Sequence, residues 1–447
     1  MKVAVVGAGI AGLAAAWELR GRAEVTVFEP ANLGGPIRTE LFEGRPVDCG
    51  PDAFITRVPD AVSLSEELGI DDLVAPQAGR TLLWWEGRAR PLPDGLVLGA
   101  PRRLTPLVTS GLLSPLGMIR AGADLVLPKK SPTGDVTVRE LISGRFGAEV
   151  ADRLVDPLVG SIHAGRTDAL SAEATVPQLV AAGRSSRSLL LGLRRLAGDG
   201  PAGPLFLAPR GGMGSLVGRL HGQLSQAGVA FVTSSVKGLQ RDGEAWRTAP
   251  TGERFDAVII ATASGEAARV LGPTAPAGLS RIDTASVVLV TLGYPSMDLP
   301  EGVNGVLVPA RSGWLMTACS FGSAKWPHWA NAGRTVLRVS AGRDGDNRPQ
   351  ELDDDSLVDR LSGEVATALQ ATARPDSVRI SRYPDSFPQY RVGHADLVRS
   401  IDEELGRIFP GIAVCGASYQ GAGIPACIAS GRRAARYVLD SLDRSRL

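Results

Sequence analysis

The first 28 residues show an apolar pattern that predicts two strands joined by a helix. Residues 2–6 (KVAVV) are almost wholly apolar, which is typical of a strand buried on both faces. Residues 10–20 carry apolar side chains at helical spacing, and residues 24–28 (EVTVF) again predict a strand. A strand, a helix and a second strand in this order predict a βαβ unit whose two strands are parallel.

The rest of the chain shows several further patterns. From about 91 to 200 the spacing is mostly helical, broken by Pro and Gly, and Thr137 and Glu140 have the spacing of a capping box. Short β-rich runs between 284 and 340 predict a separate antiparallel sheet. The other predicted elements are a helix over 216–228, strands over 229–236 and 255–262, an amphipathic helix over 353–371, and a strand, glycine loop and helix over 411–442.

Composition narrows the class of protein. The 447 residues contain 48 Lys and Arg against 47 Asp and Glu, so the net charge of +1 argues against a nucleic-acid coat protein or a strongly basic membrane-surface binder. The four cysteines are too scattered for a disulfide framework, which favours a reducing cytoplasm. The four histidines lack metal-ligand spacing, so no metal site is predicted.

One uncharged stretch raises the question of a membrane. Residues 104–119 carry no charge but contain two prolines and two glycines, and they are shorter than the roughly 20 apolar residues that span a bilayer. A spanning helix is therefore not predicted, whereas a buried or interfacial helical hairpin stays open. We expect any membrane contact to be peripheral at most.

A glycine motif lies between the first predicted strand and helix. Gly7-Ala8-Gly9-Ile10-Ala11-Gly12 fits GxGxxG, in which the glycines allow a tight turn, close approach to a pyrophosphate and close helix–strand packing. Glu29 follows Gly9 by 20 residues, at the end of the second strand, where a carboxylate can bind ribose hydroxyls. Because strand, helix and acid are all in place, the motif predicts dinucleotide binding rather than a structural turn alone.

Further glycines favour FAD over NAD. Gly34 and Gly35 come soon after the acid, and Gly50 to Phe54 (GPDAF) follow shortly. Gly421 to Pro425 (GAGIP) lie between a predicted buried strand and the last helix, and the N-terminus of that helix can hold the negative charge of a reduced flavin. No second strand–GxGxxG–helix unit with a ribose-binding acid is evident, so a site for NAD(P)H as a second dinucleotide is not predicted.

These motifs together resemble a known family. The segments GAGIAGL, FEP, LGGPIRT, DCGPDAF, GSIHAGRTDALSAEAT, FPQYRVGH and VCGASYQGAGIPACIASG resemble the bacterial protoporphyrinogen/coproporphyrinogen oxidases, within the wider amine-oxidase-like flavoprotein superfamily. They extend over nearly the whole chain. The resemblance implies an FAD-dependent oxidase of haem biosynthesis that uses oxygen, releases hydrogen peroxide and binds FAD without a covalent bond.

The resemblance also assigns residues. It implies that the phosphate-binding residues are Gly7, Ala8, Gly9, Ile10, Ala11 and Gly12, that Glu29 and Pro30 lie at the ribose, and that Val236 meets adenine through its backbone. It implies that the flavin is lined by Gly34, Gly35, Gly50, Pro51, Asp52, Ala53, Tyr383, Gly423 and Ile424. Pro36, Tyr383 and Arg166 depart from the residues usual in the family. No catalytic residue is assigned, because the cofactor performs the hydride chemistry.

The expected fold class is α/β with α+β inserts, in which a discontinuous Rossmann-type FAD-binding domain carries a β-rich substrate domain and a helical insertion. The predicted FAD-binding domain comprises 1–80, 206–268 and 385–447. The predicted substrate domain comprises 81–94 and 269–384, and the helical insertion comprises 95–205. Each α/β piece is too short to close a domain by itself, which is why we expect one domain built from three segments.

The sequence identifies the substrate less specifically than it identifies the cofactor. Coproporphyrinogen III is preferred because the resemblance is to the Gram-positive type, and Arg80 is a candidate partner for a propionate, although a solvated arginine is the alternative. Protoporphyrinogen, an amine oxidase or carotenoid desaturase on the same scaffold, and a flavin- or porphyrin-binding carrier that hands product to a ferrochelatase all stay open. An amine oxidase needs an aromatic cage, for which the candidates are Tyr294, Tyr383, Tyr390 and Tyr419.

Overall fold

A five-stranded sheet, formed by three separate segments of the chain, is the first of two large sheets in the fold. The computed structural model describes residues 1–127, 134–196 and 203–444. Neighbouring strands of this sheet are all parallel, which confirms the predicted α/β class and the βαβ start. In order across the sheet, the strands are Ala230–Val232, Glu24–Phe28, Lys2–Val6, Ala257–Ile260 and Ile412–Val414.

Helices cover both faces of this sheet, as a fully parallel sheet requires. One face packs against Ile10–Leu19, Met213–Gln226 and the C-terminal helix Ile424–Arg444, with the short helix Asp60–Glu67 beside them. The other face packs against Ser264–Leu271 and His394–Ile408. The strand predicted over 229–236 is shorter than expected, because the chain turns after Val232, where the Ser234 amide donates to the Val232 carbonyl.

A seven-stranded sheet forms the second layer. In order across the sheet, its strands are Ser377–Pro388, Thr284–Pro295, Arg334–Ala341, Met316–Ser320, Val303–Leu307, Arg80–Trp85 and Arg88–Pro91. The helix Asp354–Leu369, predicted over 353–371, packs on it. The predicted antiparallel pairing of the runs between 284 and 340 is confirmed, but these runs do not form a separate sheet, because Arg80–Trp85 joins them and runs parallel to Val303–Leu307. A strand that arrives from far along the chain is not held antiparallel by a hairpin turn.

The middle of the chain is helical, as predicted, and contains a capping box at Thr137. The Thr137 hydroxyl accepts from the Glu140 amide, and the Glu140 carboxylate accepts from the Thr137 amide. The α-helices here are Thr105–Ser110, Pro115–Gly122, Val138–Phe146, Ala148–Val150, Asp156–His163, Ala172–Thr175, Pro177–Ser185 and Leu189–Leu196, with a 3₁₀ turn at Ala123–Leu125 and a π-helical turn at Ala151–Val155. No helix in the described ranges is both long and apolar enough to cross a bilayer.

Short elements complete the fold. The short strands are Thr39–Phe42, Arg45–Asp48, Phe54–Ile55, Leu73–Val74, Leu96–Val97, Ala100–Pro101, Phe206–Pro209, Gly238–Asp242, Ala245–Ala249 and Arg254–Phe255. The remaining α-helices are Gly322–Lys325, Arg348–Glu351 and Ala417–Gln420, and the remaining 3₁₀ turns are Gly272–Thr274, Ala277–Arg281, Ala310–Ser312 and Pro327–Trp329. The strands Arg80–Trp85 and Arg88–Pro91 form a hairpin, and apolar clusters pack on both of its faces.

The C-terminal helix packs on the first helix at a distance that only glycine allows. A Cβ on Gly431 would lie 2.0 Å from the carbonyl oxygen of Ala11. Both helices are buried where they meet, so the backbone cannot move aside without disturbing the core between them. Gly431 therefore fixes how closely the end of the chain approaches its beginning.

A buried carboxylate holds the N-terminus of the helix Met213–Gln226. This helix has a glycine N-cap, and its first amides find side-chain acceptors elsewhere in the chain: Asp48 Oδ1 accepts from the Met213 amide at 2.8 Å, and the Thr39 hydroxyl oxygen accepts from the Gly214 amide at 2.8 Å. Asp48 is fully buried, and its Oδ2 atom has no hydrogen-bond partner. Burial raises the pKa of Asp48 to about 6, despite the bonds from Thr39 and Met213.

Replacing Gly431 with Ala should destabilise the protein by about 1–3 kcal/mol, because the new methyl group would force two packed helices apart. The control is Gly363→Ala in the helix Asp354–Leu369, where a Cβ would meet no atom within 4 Å. There we expect a gain of about 0.5–1 kcal/mol, since alanine favours a helix over glycine. Chemical denaturation measures both, and equal effects at the two sites would contradict the packing argument.

Asp48→Asn should change how stability depends on pH. Because the folded pKa of about 6 lies above the ordinary 3.8, Asp48 contributes most to stability below about pH 4, and this contribution is lost as the pH rises through 6. The free energy of unfolding of the wild type relative to Asp48→Asn should therefore fall by about 3 kcal/mol over this range.

The control for this pH dependence is Asp353→Asn. Asp353 is an exposed N-cap whose bonds from Ser356 lower its pKa, so the difference between wild type and variant should change in the opposite direction. Denaturation curves at half-unit pH steps give both slopes. A flat difference for Asp48→Asn would show that this carboxylate does not titrate as proposed.

Candidate functional site

The GxGxxG segment forms an open backbone turn at the carboxyl end of the strand Lys2–Val6. Gly7 has a φ of 101°, and a Cβ on Gly12 would lie 2.0 Å from the Gly7 carbonyl oxygen. The helix begins at Ile10 with Gly9 as its N-cap, and it has no side-chain cap and no acid in its first turn. A Cβ on Gly9 would meet nothing within 4 Å. The turn therefore offers helix N-terminal amides and open space, which suit a phosphate group.

Glu29 lies beside this turn. Its Oε2 atom accepts from the Ala8 amide at 2.9 Å and its Oε1 atom from the Ala31 amide at 3.0 Å. The neighbouring Pro30 is exposed. Val236 is buried in the cluster that also contains Phe28, next to the strand that carries Glu29. The structure thus brings the residues expected at the ribose and adenine to one side of the glycine turn.

The second glycine segment packs against the first. The Gly34 amide donates to the Ala8 carbonyl at 2.8 Å, and Gly34 forms an isolated parallel bridge with Gly9. Gly34 and Gly35 both have positive φ, and a Cβ on Gly34 would lie 2.9 Å from a methyl carbon of Val217. This close packing requires glycine at 34, while Gly35 stays exposed.

The third glycine segment is held by the second sheet. A Cβ on Gly50 would lie 2.0 Å from the Pro36 carbonyl oxygen, so the segments 34–36 and 50–53 are in direct contact. The Tyr383 hydroxyl donates to the Cys49 carbonyl at 2.9 Å, and Arg338 Nη1 donates to the Gly50 carbonyl at 2.6 Å. Tyr383 therefore holds the backbone beside the expected flavin-lining residues Gly50, Pro51, Asp52 and Ala53.

Asp52 is the centre of an ionic cluster that sequence reasoning missed. Its Oδ2 atom accepts from Lys325 Nζ at 2.8 Å and from Trp326 Nε1 at 2.9 Å, and its Oδ1 atom lies 3.3 Å from a guanidinium nitrogen of Arg338. Burial opposes ionisation of Asp52, but the charges of Arg338 and Lys325 outweigh it, so its pKa lies well below the usual value. An arginine within the apolar strand 334–341 was the one available sequence signal.

The C-terminal glycine loop lies at the same edge of the parallel sheet as the first turn. It follows the strand Ile412–Val414, has positive φ at Gly416 and Gly421, and enters the last helix at Ile424. Because parallel strands end at one edge, the N-termini of the first and last helices both lie there. Gly423 is exposed and Ile424 is buried, so the backbone of this loop is accessible where the sequence places the flavin ring.

Side chains of the motif FPQYRVGH hold this loop. The Tyr390 hydroxyl donates to the Ala417 carbonyl at 2.5 Å, and His394 Nε2 donates to the Tyr419 carbonyl at 2.8 Å. Burial lowers the pKa of His394, so the ring is a neutral donor rather than a base. His394 therefore supports the loop by a hydrogen bond.

The motif GSIHAGRTDALSAEAT, at 160–175, contacts the motif FPQYRVGH. Gln389 Nε2 donates to the His163 carbonyl at 3.0 Å, and the Ser171 amide donates to the Tyr390 carbonyl at 2.7 Å. Burial lowers the pKa of His163 to about 4. The buried Gln389 Oε1 atom has no partner in the described chain. Three motifs that are far apart in sequence thus converge around Tyr390, beside the C-terminal glycine loop.

Other candidates are not brought to this site. Arg80 is exposed at the start of its strand, and no side-chain hydrogen bond or ion pair within the described ranges joins it to the glycine segments. The four candidate tyrosines do not form one cage, because Tyr294 belongs to the core under the second sheet and Tyr419 to the core under the first. No group of three potential metal ligands occurs among the residues that the structure describes.

The arrangement fits a dinucleotide with a flavin ring at its far end. Open backbone at Gly9, the Glu29 carboxylate, and the exposed backbone at Gly35 and Gly423 are placed at one sheet edge, which provides donors for phosphates and space for a planar ring. Two thiols adjoin these glycine segments: Cys49 directly precedes Gly50, and Cys427 Sγ lies 3.6 Å from the Gly421 carbonyl oxygen. Burial raises the pKa of the Cys427 thiol to about 12, so it is protonated at neutral pH.

Comparison with known proteins agrees with this geometry. The chain is 32% identical to coproporphyrinogen III oxidase of Bacillus subtilis, covering 97% of this chain and 96% of that protein. It is 34% identical to the protein of the same name from Mycobacterium tuberculosis, covering 98% and 97%. Protoporphyrinogen oxidase of Bos taurus is 30% identical, with 98% of each chain covered.

Solved structures agree on the fold. A crystal structure from Exiguobacterium sp. 255-15 has a TM-score of 0.90 at 29% identity and covers 99% of both chains. Cyclohexylamine oxidase from Brevibacterium oxydans, at 16% identity, has a TM-score of 0.72 and shares the fold alone. The family model described as flavin containing amine oxidoreductase matches residues 10–439. The chain therefore belongs to the family of flavin-containing amine oxidoreductases and is an enzyme of that oxidoreductase family.

Proposed function

We propose that this enzyme oxidises coproporphyrinogen III to coproporphyrin III with FAD as cofactor and oxygen as acceptor. The observation that carries the proposal is the convergence of 160–175 and 387–394 on the glycine loop 416–424. Relatives that match this chain over nearly its whole length at 32–34% identity carry the name coproporphyrinogen III oxidase. The absence of one aromatic cage among the described tyrosines counts against an amine substrate.

In the proposed reaction the protein positions the substrate against the cofactor and supplies no strong acid or base. A flavin held there would supply the hydride acceptor for a carbon between two pyrroles, and the positive charge left behind would be delocalised over pyrrole nitrogens. The change from porphyrinogen to porphyrin removes six electrons, which balances the reduction of three oxygen molecules to three of hydrogen peroxide. In the described chain, neutral His163 and His394 fit a site without a strong base.

In this proposal each glycine segment has one task. Gly7, Ala8, Gly9, Ile10, Ala11 and Gly12 bind the pyrophosphate, with Glu29 and Pro30 at the ribose and the Val236 backbone at adenine. The flavin lies against Gly34, Gly35, Gly50, Pro51, Asp52, Ala53, Gly423 and Ile424, with Tyr383 supporting Cys49. We propose that binding is non-covalent, and this is supported by burial, which raises the pKa of the Cys427 and Cys49 thiols. Helix N-termini at Ile10 and Ile424 then stabilise the pyrophosphate and the reduced ring.

We propose that charge determines which of the two porphyrinogens is preferred. Coproporphyrinogen carries four propionates and protoporphyrinogen two, so arginines at the substrate site would favour the former through paired hydrogen bonds. Arg80 stays a candidate for one such contact, since no ion pair within the described ranges occupies its guanidinium. Reaction in the cytoplasm, and transfer of the product to a ferrochelatase, are further hypotheses from the sequence.

Replacing Glu29 with Ala should weaken FAD binding by about 1.5–3 kcal/mol, the range for hydrogen bonds to a charged group. The control is Glu24→Ala at the exposed start of the same strand, which should leave FAD binding unchanged. Titration of FAD into the apoprotein, followed by flavin fluorescence, measures both dissociation constants. Equal values for wild type and Glu29→Ala would remove Glu29 from the ribose site.

Coproporphyrinogen III should be oxidised with a kcat/KM about tenfold or more above that of protoporphyrinogen IX, since one extra charged hydrogen bond suffices for this ratio. Porphyrin fluorescence and oxygen consumption, recorded together, should give three oxygen molecules per porphyrin. A higher kcat/KM for protoporphyrinogen would reject the substrate assignment. Turnover of amines without turnover of either porphyrinogen would reject the proposed reaction class.

A further inference from the structure

Three charged side chains meet at the glycine segment 50–53, where the second layer packs against it. Asp52 belongs to this segment, whereas Lys325 and Arg338 belong to the second layer. Asp52 Oδ2 accepts from Lys325 Nζ at 2.8 Å, and Asp52 Oδ1 lies 3.3 Å from a guanidinium nitrogen of Arg338. We call Asp52, Lys325 and Arg338 the charge cluster.

The charge cluster is poorly solvated. The side chains of Asp52 and Arg338 are each 13% exposed, and that of Lys325 is 23% exposed. Asp52 is ionised despite its burial, because the charges of Arg338 and Lys325 hold its pKa well below the usual value. Water and salt screen such charges only weakly, so each of them acts over a longer distance than it would on the surface.

Direct contacts attach the charge cluster to the backbone that is proposed to line the flavin. Arg338 Nη1 donates to the Gly50 carbonyl at 2.6 Å. Gly50 in turn contacts Pro36, which directly follows Gly34 and Gly35. The two cations are therefore bonded to the same backbone that the proposed function places against the ring.

Other titratable groups adjoin the charge cluster. Burial and the charge of Arg210 lower the pKa of His328, so its ring is neutral at pH 7 although the charge of Asp52 opposes this shift. Trp326 Nε1 donates to Asp52 without adding a charge. Asp48 is buried close enough for Arg338 and Asp52 to influence it, and its pKa of about 6 makes it a carboxylate above that pH. Removal of either cation therefore leaves these surroundings more negative.

Charge at this position acts differently on the two redox states of a flavin. Reduction places negative charge on the ring, whereas the oxidised ring is neutral. A nearby cation therefore stabilises the reduced form more than the oxidised form, and a nearby carboxylate does the opposite. Charges beside the ring are one of the means by which a protein tunes its cofactor.

We propose that the charge cluster sets how readily the bound flavin accepts electrons, with Lys325 and Arg338 favouring the reduced form and Asp52 limiting their effect. The three side chains act through the field that they create at segment 50–53, so they are positioning and tuning residues rather than catalytic ones. This inference rests on the FAD part of the proposed function and not on the identity of the substrate.

A purely structural cluster would behave differently. If the ionic contacts only held the second layer against segment 50–53, substitutions in the cluster would lower stability, and none would shift the reduction of the flavin according to the sign of the charge removed. The direction of the shift therefore separates the two roles, because removing a cation and removing the carboxylate should give opposite results.

Reduction of the FAD-loaded full chain, measured against a dye of known potential, tests this. Lys325→Gln should shift the equilibrium at least about tenfold towards oxidised flavin, which is about 30 mV for a two-electron couple. Asp52→Asn should shift it towards reduced flavin. Lys325→Arg keeps the charge and should restore the wild-type potential. Measurement at about pH 8 keeps Asp48 ionised.

A matched control and a second readout accompany this titration. Arg348→Gln removes one positive charge from the same layer, where Arg348 forms an ion pair with Asp346, and it should leave the potential unchanged. Sulfite adds to oxidised flavin and makes the ring anionic, so its dissociation constant should rise at least about tenfold in Lys325→Gln and fall in Asp52→Asn. Flavin content and the unfolding midpoint of each variant separate altered tuning from lost folding.

Two results would overturn the proposal while leaving the proposed function intact. One is an equal potential in wild type and Lys325→Gln, and the other is a shift of the same sign in Lys325→Gln and Asp52→Asn. A wild-type protein that binds no FAD would reject the cofactor and this inference together. Opposite shifts in an enzyme that oxidises neither porphyrinogen would support this inference and reject the proposed substrate.

Discussion

Three close backbone contacts determine the spacing of the glycine segments at the sheet edge where the cofactor is proposed to bind. At Gly12, Gly50 and Gly431 a Cβ would lie 2.0 Å from a carbonyl oxygen of another segment, which no side chain tolerates. These contacts join the first turn to its own helix, the second glycine segment to the third, and the first helix to the last. All three contacts lie near the edge where the cofactor is proposed to bind, so the spacing of these segments follows from backbone contact rather than from side-chain packing.

Electrostatics then connects this edge to the second sheet. Asp52 belongs to the glycine segment 50–53, while its partners Lys325 and Arg338 belong to the second layer. A buried carboxylate with two cations resists separation, since pulling the layers apart would leave charges in a poorly solvated interior. The Arg338 bond to the Gly50 carbonyl makes the same connection through the backbone. Any rearrangement of the second layer would therefore displace the residues that are expected to face the flavin.

Elements that depend on neighbouring residues could be predicted from the sequence, whereas contacts between residues far apart in the chain could not. The βαβ start, the capping box at Thr137 and the final strand–loop–helix were readable because each depends on neighbouring residues. The parallel pairing of Arg80–Trp85 and the partners of Asp52 were not, because those residues lie more than 200 positions apart and carry no shared pattern. The cofactor assignments stay predictions, although their residues do gather at one edge.

The order of strands in the parallel sheet has a consequence for synthesis in the cell. Lys2–Val6 lies at the centre of the sheet, yet one of its two neighbours, Ala257–Ile260, is made about 250 residues later. At ribosomal rates of about 5–20 residues per second, that delay is about 10–50 s. Throughout it, the nascent chain presents an apolar strand with one unpaired edge, which is the kind of surface that aggregates. The helical segment, whose contacts are more local, can meanwhile fold, so the N-terminal strand completes its pairing later than the middle of the chain does.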